Sequence, residues 1–133
     1  PEFEQRVGSL RDISPFWFNA IGVSTIEIDR NARDEDIEQF MSITDQAGAN
    51  VVPSIVDALP AGEMAAILAD PVTRAAHVDT IVEFAASDDF AGIDIDYEQF
   101  AFADGRSTWA ATRPNWVAFI TELGAALHAD DRT

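Results

Sequence analysis

The chain has 133 residues, 47% of them hydrophobic, enough for one modest domain with a packed core and too many for disorder. Its formal net charge is −16 and all eight basic residues are Arg. With no positive patch to hold a phosphate backbone or an anionic lipid surface, nucleic acid and membrane are not expected partners.

No apolar run is long enough to span a bilayer, and the absence of Cys excludes disulfides and thiolate chemistry. The acidity suits a neutral substrate such as a sugar and a salty or extracellular setting, so a secreted or cell-envelope-associated protein is expected.

In chain order, Phe3, Val7 and Leu10 have helical spacing and read as the tail of a helix. Residues 13–18 (ISPFWF) read as a strand, and 21–28 (IGVSTIEI) as a second, shorter strand or a hairpin arm. After the polar connection 29–33, a helix is predicted from Asp34, with Ile37, Phe40, Met41, Thr44 and Ala47 along one stripe. Acids crowd its first turn, where the helix dipole favours them, and Gly48 stands where a C′ residue belongs.

Residues 50–56 (NVVPSIV) read as a buried strand. Pro53 here and Pro15 in the first strand each remove a ladder hydrogen bond, so both are expected near a strand end. A short helix is predicted at 62–68. Asp70 and Pro71 then supply an N-cap and an N1 proline for a helix reaching Ala86, with Val72, Ala75, Ala76, Val78, Ile81, Val82 and Ala85 on its apolar side. After the acidic stretch 90–98, residues 99–113 read as a long loop, and a last helix opens at 112–114 with Trp116, Ile120, Leu123 and Leu127 as its buried stripe. Strands alternating with helices make this an α/β chain of consecutive parallel βα units.

The chemistry concentrates in Ile93-Asp94-Ile95-Asp96-Tyr97-Glu98. Period-two alternation puts Ile93, Ile95 and Tyr97 on one face of a strand and Asp94, Asp96 and Glu98 on the other. Successive acids would lie roughly 6.5–7 Å apart at Cα. A wet edge strand also alternates, but Asp is depleted in strands, and three acids with no interleaved base repel one another. Such a row is expected to keep one carboxyl protonated near neutral pH, as catalytic carboxylates require.

In parallel βα folds the working groups sit at the C-terminal ends of the strands. Glu98 is the last acid of its strand and would act as general acid, with Asp96 as partner and Asp94 lying deepest. Two-carboxylate glycoside cleavage needs carboxyls flanking the scissile bond, whereas Asp96 and Glu98 approach from the same side. The nucleophile must then come from another strand or from the substrate, for instance a neighbouring N-acetyl group.

Ala91-Gly92-Ile93-Asp94-Ile95-Asp96-Tyr97-Glu98 resembles the family-18 glycoside hydrolase signature Asp-Gly-x-Asp-x-Asp-x-Glu, that of chitinases and related N-acetylglucosaminidases. Residues 14–18 (SPFWF), 51–55 (VVPSI) and the helix start at 70–74 extend the resemblance, which is greatest to the bacterial branch of spore-cortex and peptidoglycan-type hydrolases. Ala91 replaces the first Asp, and Ser54 is followed by Ile55-Val56 where the family often has Ser-x-Gly-Gly.

The resemblance implies a TIM barrel and retaining, substrate-assisted hydrolysis of β-1,4-linked N-acetylglucosamine-containing glycans. Glu98 would protonate the glycosidic oxygen, Asp96 hold the N-acetyl group and Asp94 support Asp96; no cofactor or metal is implied. A (β/α)8 barrel takes about 250 residues. Residues 1–133, which begin at Pro1 rather than Met, are therefore expected to form a partial catalytic domain, about strands 2 to 4 with their helices. Such a fragment is expected to be inactive until the remaining barrel strands or another chain complete it.

Trp109, Ser54 and Tyr97 are candidate substrate-binding residues, and Asp57 either lines the same mouth or serves as a turn residue. Trp17, Phe18 and Trp116 read as core, and His77 and His128 lack the paired spacing of a metal site. Two other readings remain open. One is a non-catalytic carbohydrate-binding relative, against which the presence of Glu98 argues. The other is a divalent cation held by Asp94, Asp96 and Glu98.

Overall fold

The computed structural model describes residues 2–133. Its central sheet has the order β3-β2-β5-β6, formed by β2 (Phe16–Gly22), β3 (Thr25–Ile28), β5 (Ser54–Asp57) and β6 (Asp94–Asp96). Strands β2, β5 and β6 run parallel, as the βα reading requires. Of residues 21–28, Ile21 and Gly22 end β2, and Thr25–Ile28 form the hairpin arm β3, antiparallel on β2. Among the described residues the sheet is open, with β3 and β6 at its edges.

Just before these strands in the chain, β1 (Asp12–Ile13) pairs in parallel with β4 (Asn50–Val51). Pro15 and Pro53 each stand immediately before a strand, β2 and β5, as the strand-end reading expects, and pairing resumes past each of them. The ladder survives because bonding passes to neighbouring groups. The Val52 N–H donates to Ile13 O (2.9 Å), Ser54 N–H to Pro15 O (2.9 Å) and Asp94 N–H to Pro53 O (3.0 Å). Each proline loses a donor but keeps its acceptor.

Helix α1 (Glu2–Arg6) passes into a 3-10 turn, where Val7 is buried and Phe3 stacks on Phe40. Helix α2 (Asp34–Ala47) ends at Gly48 in the left-handed region (φ 68°). The Gly48 N–H donates to Asp45 O and the Ala49 N–H to Thr44 O (both 3.0 Å), a Schellman motif. Helix α3 (Glu63–Ala69) leads to Asp70, whose carboxylate accepts from the N–H groups of Val72 and Thr73 and starts α4 (Pro71–Ser87). Val72 is 77% exposed, against expectation. At 100° per residue it points away from the His77, Val78, Ile81 and Ala85 face that is buried.

The stretch 99–113 is more ordered than a loop. It holds α5 (Gln99–Ala103) and a 3-10 turn, and α6 (Trp109–Ala129) begins before Thr112, with Pro114 inside it. Phe119 belongs to the buried stripe of α6 and Ile120 does not. Helices α4 and α6 cover one face of the sheet, where Phe18, Ile55, Ile81, Phe90, Ile93 and Phe119 close the core. Among the described residues no buried side-chain N or O atom lacks a hydrogen-bond partner, and no helix is long and apolar enough to cross a membrane.

Backbone bonds from Thr133 N–H to Ala91 O (3.0 Å) and from Ile93 N–H to Thr133 O (2.8 Å) make one rung of parallel type beside Gly92, just before β6. Gly92 is required there, since a side chain would run into Thr133.

Candidate active site

Alternation in residues 93–97 sorts the side chains as expected. Ile93 and Tyr97 are buried on the helix side, whereas Asp94 is exposed and Asp96 half-buried. Lateral register then brings Phe16, Ser54 and Asp94 abreast, and one step along, Asn19, Val56 and Asp96. The strand stops at Asp96. Glu98 has helical backbone angles (φ −93°, ψ −33°) and is the N-cap residue of α5, so it is exposed where the chain turns off the sheet. The even extended spacing expected for three acids thus holds only for the first pair.

The three acids stand differently. Asp94 is anchored: Ser54 Oγ donates to its Oδ2 at 2.6 Å. Ser54 itself is 0% exposed, so it supports Asp94 and offers no surface to a substrate, a correction to its expected role. Among the described residues, no group of three His, Cys, Asp or Glu side chains is arranged to hold a metal ion, and the divalent-cation reading gains no support from this geometry.

Tyr97 is mostly buried, although it contributes to the lining of the cleft beside Glu98. Its side chain is buried between the sheet and the helices, stacked on Phe119 (centroids 5.8 Å, 7° apart). Its hydroxyl lies 2.7 Å from His77 Nε2, and His77 Nδ1 lies 2.8 Å from the Val23 carbonyl. A carbonyl only accepts, so Nδ1 carries the proton and Nε2 accepts from Tyr97. Burial, with Asp57 nearby, pushes the Tyr97 phenol well up and keeps it protonated. Burial likewise lowers His77 from 6.5, favouring the neutral ring that this chain of bonds needs.

Trp109 does share space with Glu98. Both line a cleft of about 450 Å³, with Phe100, Phe102, Arg113 and Trp116. The indole is 38% exposed, donates from Nε1 to Ala101 O at 2.7 Å, and lies under the Arg106 guanidinium, 5.2 Å from the ring centroid. Fixed edge and open face give a rigid apolar wall beside the acid.

Asp57 is the residue that sequence reasoning undervalued. It ends β5, is 0% exposed, and accepts from the N–H groups of Gln99 (2.9 Å) and Phe100 (2.5 Å). Burial pushes its pKa up, while both amides pull the other way. The sequence signal was an Asp at a strand end, but its partners lie more than forty residues away.

No sequence family and no curated protein matches the chain. Its fold is one found in chitinases. It superposes on a chitinase from Chromobacterium violaceum ATCC 12472 with a TM-score of 0.73 at 20% identity, covering 96% of this chain and 38% of that one. For a class V chitinase from Pseudomonas fluorescens Pf-5 the values are 0.73, 22%, 98% and 37%. For the spore cortex-lytic enzyme SleL of Bacillus cereus they are 0.65, 16%, 91% and 26%. The chain thus spans well under half the length of these proteins, and the likeness is one of fold. These neighbours are of the kinds that the resemblance in residues 91–98 named.

Proposed function

We propose that residues 1–133 are part of the catalytic domain of a family-18-type glycoside hydrolase, contributing about strands 2 to 4 of a TIM barrel. Its substrate is a β-1,4-linked glycan containing N-acetylglucosamine, of chitin or peptidoglycan type, met outside the cell or in its envelope. The observation carrying this reading is Asp94 and Asp96 on the open face of β6, with Glu98 exposed just past its C-terminal end, on a fold found in chitinases. The rung that Thr133 makes with Ala91 and Ile93, just before β6, is consistent with a next parallel strand on that side.

In this reading Glu98 gives its proton to the glycosidic oxygen as the bond to the anomeric carbon breaks. The carbonyl oxygen of the substrate's own N-acetyl group attacks that carbon, and Asp96 holds the amide in line, supported by Asp94 and Ser54. Water then opens the cyclic intermediate, its proton passing to the Glu98 carboxylate, with net retention at the anomeric carbon. Trp109 offers an apolar wall to the sugar bound beyond Glu98.

The test is proton NMR of the first product released from chitin oligosaccharides by a full-length protein carrying these residues. The β-anomer is expected first; initial α-anomer would contradict the mechanism. The 133-residue chain alone is expected to give no turnover, and measurable release of chitobiose from it would overturn the fragment reading.

A further inference from the structure

We propose that Asp57 is a positioning residue for Glu98: its buried carboxylate takes up the N–H groups of the two residues that follow Glu98 and so keeps the Glu98 carboxylate turned out to the substrate. This rests on the reading of Glu98 as the proton donor.

Helix α5 has five residues, too few to hold its own first turn. The first N–H groups of a helix need an acceptor, and the usual source is the N-cap side chain. Here the N-cap residue is Glu98, and its side chain makes no capping bond. The acceptor comes instead from a neighbouring strand: Asp57 Oδ1 receives the Gln99 N–H and Oδ2 the Phe100 N–H. With both oxygens engaged at 2.9 and 2.5 Å, the peptide after Glu98 is fixed to the end of β5. Without that carboxylate, the free N–H groups would be open to capping by the carboxylate of Glu98, the residue next to them in the chain.

A buried carboxylate is costly unless hydrogen-bonded, so a cap alone does not call for one. A carboxylate is the group that accepts two diverging N–H groups at once and donates to neither. An Asn in its place presents NH₂ to one amide. Asp57 touches neither substrate nor reacting atoms; it acts through the backbone.

Two glycosides of N-acetylated sugar separate this role from a structural one: a phenyl glycoside, whose departure needs a proton, and a 2,4-dinitrophenyl glycoside, whose departure does not. In the full-length protein, Asp57→Asn is expected to lower kcat on the phenyl glycoside by about 10–100-fold, the scale of a misplaced acid, with KM changed by less than about threefold. Loss on the dinitrophenyl substrate is expected to stay within about threefold, because proton transfer is not needed there. The ratio of the two rates does not depend on how much variant is folded. Asp57→Ser, smaller and still an acceptor, is expected to show the same selective loss if the Asn variant folds poorly. Equal losses on both substrates, or no loss on either, would overturn the proposal. Glu98→Gln is the control: if it keeps full rate on the phenyl glycoside, the reading of Glu98 fails instead.

Discussion

The two faces of the sheet differ in how far they are finished. On the helix side, Phe18, Ile55, Ile93, Tyr97 and Phe119 are buried, and even the polar atoms of His77 and Tyr97 are paired. On the other side, Phe16 is 64% exposed and Asp94 lies at the surface, held by one serine hydroxyl. The same strands thus carry a closed core on one side and open, chemically competent groups on the other. Stability rests on one face, and the proposed function on the other.

Substitutions can break this contrast or sharpen it. Phe119→Ala, which removes the ring packed on both Tyr97 and His77, is expected to cost about 3–5 kcal/mol in urea unfolding. A cost near zero would mean that the helix face is not the core.

His77→Phe would leave the Tyr97 hydroxyl and the Val23 carbonyl without their partner, a loss of about 1–3 kcal/mol. The native bridge is also pH-dependent. His77 titrates below 6.5 when folded, so below that value the unfolded chain binds the extra proton first. Its contribution is full above pH 6.5 and is lost as pH falls from there through the folded pKa. Asp57 runs in the opposite sense, its raised pKa making stability fall as pH rises from 3.8. Unfolding of native protein and His77→Phe across pH 4–8 isolates the His77 slope, which the variant is expected to lose.

Phe16→Ala should be the mildest, within about 0.5 kcal/mol in the 133-residue chain, as for an exposed residue. If further strands close over this face in a longer chain, the same change is expected to cost about 3 kcal/mol or more there. Equal small costs in both would argue against a barrel.

What could be read from sequence was local. Asp70 with Pro71, the Gly48 helix end and the alternation at 93–97 each depend on neighbours in the chain, and each is found as expected. What escaped was non-local. Helix α5 is held by Asp57 across the sheet, His77 takes its partners from Val23 and Tyr97, and Ser54 is spent on Asp94. None of these pairings has a spacing to read. Choosing Ile120 over Phe119 was a narrower miss, since both lie at helical spacing from Trp116 and Leu123.

The central claim is that Glu98, at the open end of β6, is the group that delivers the proton. Its most direct test is hydrolysis of an N-acetylated chito-oligosaccharide by the full-length protein and its Glu98→Gln variant. The account predicts a fall in kcat of about 10²–10⁴-fold with binding of the sugar retained. Turnover by the variant within a factor of about three of native would contradict it.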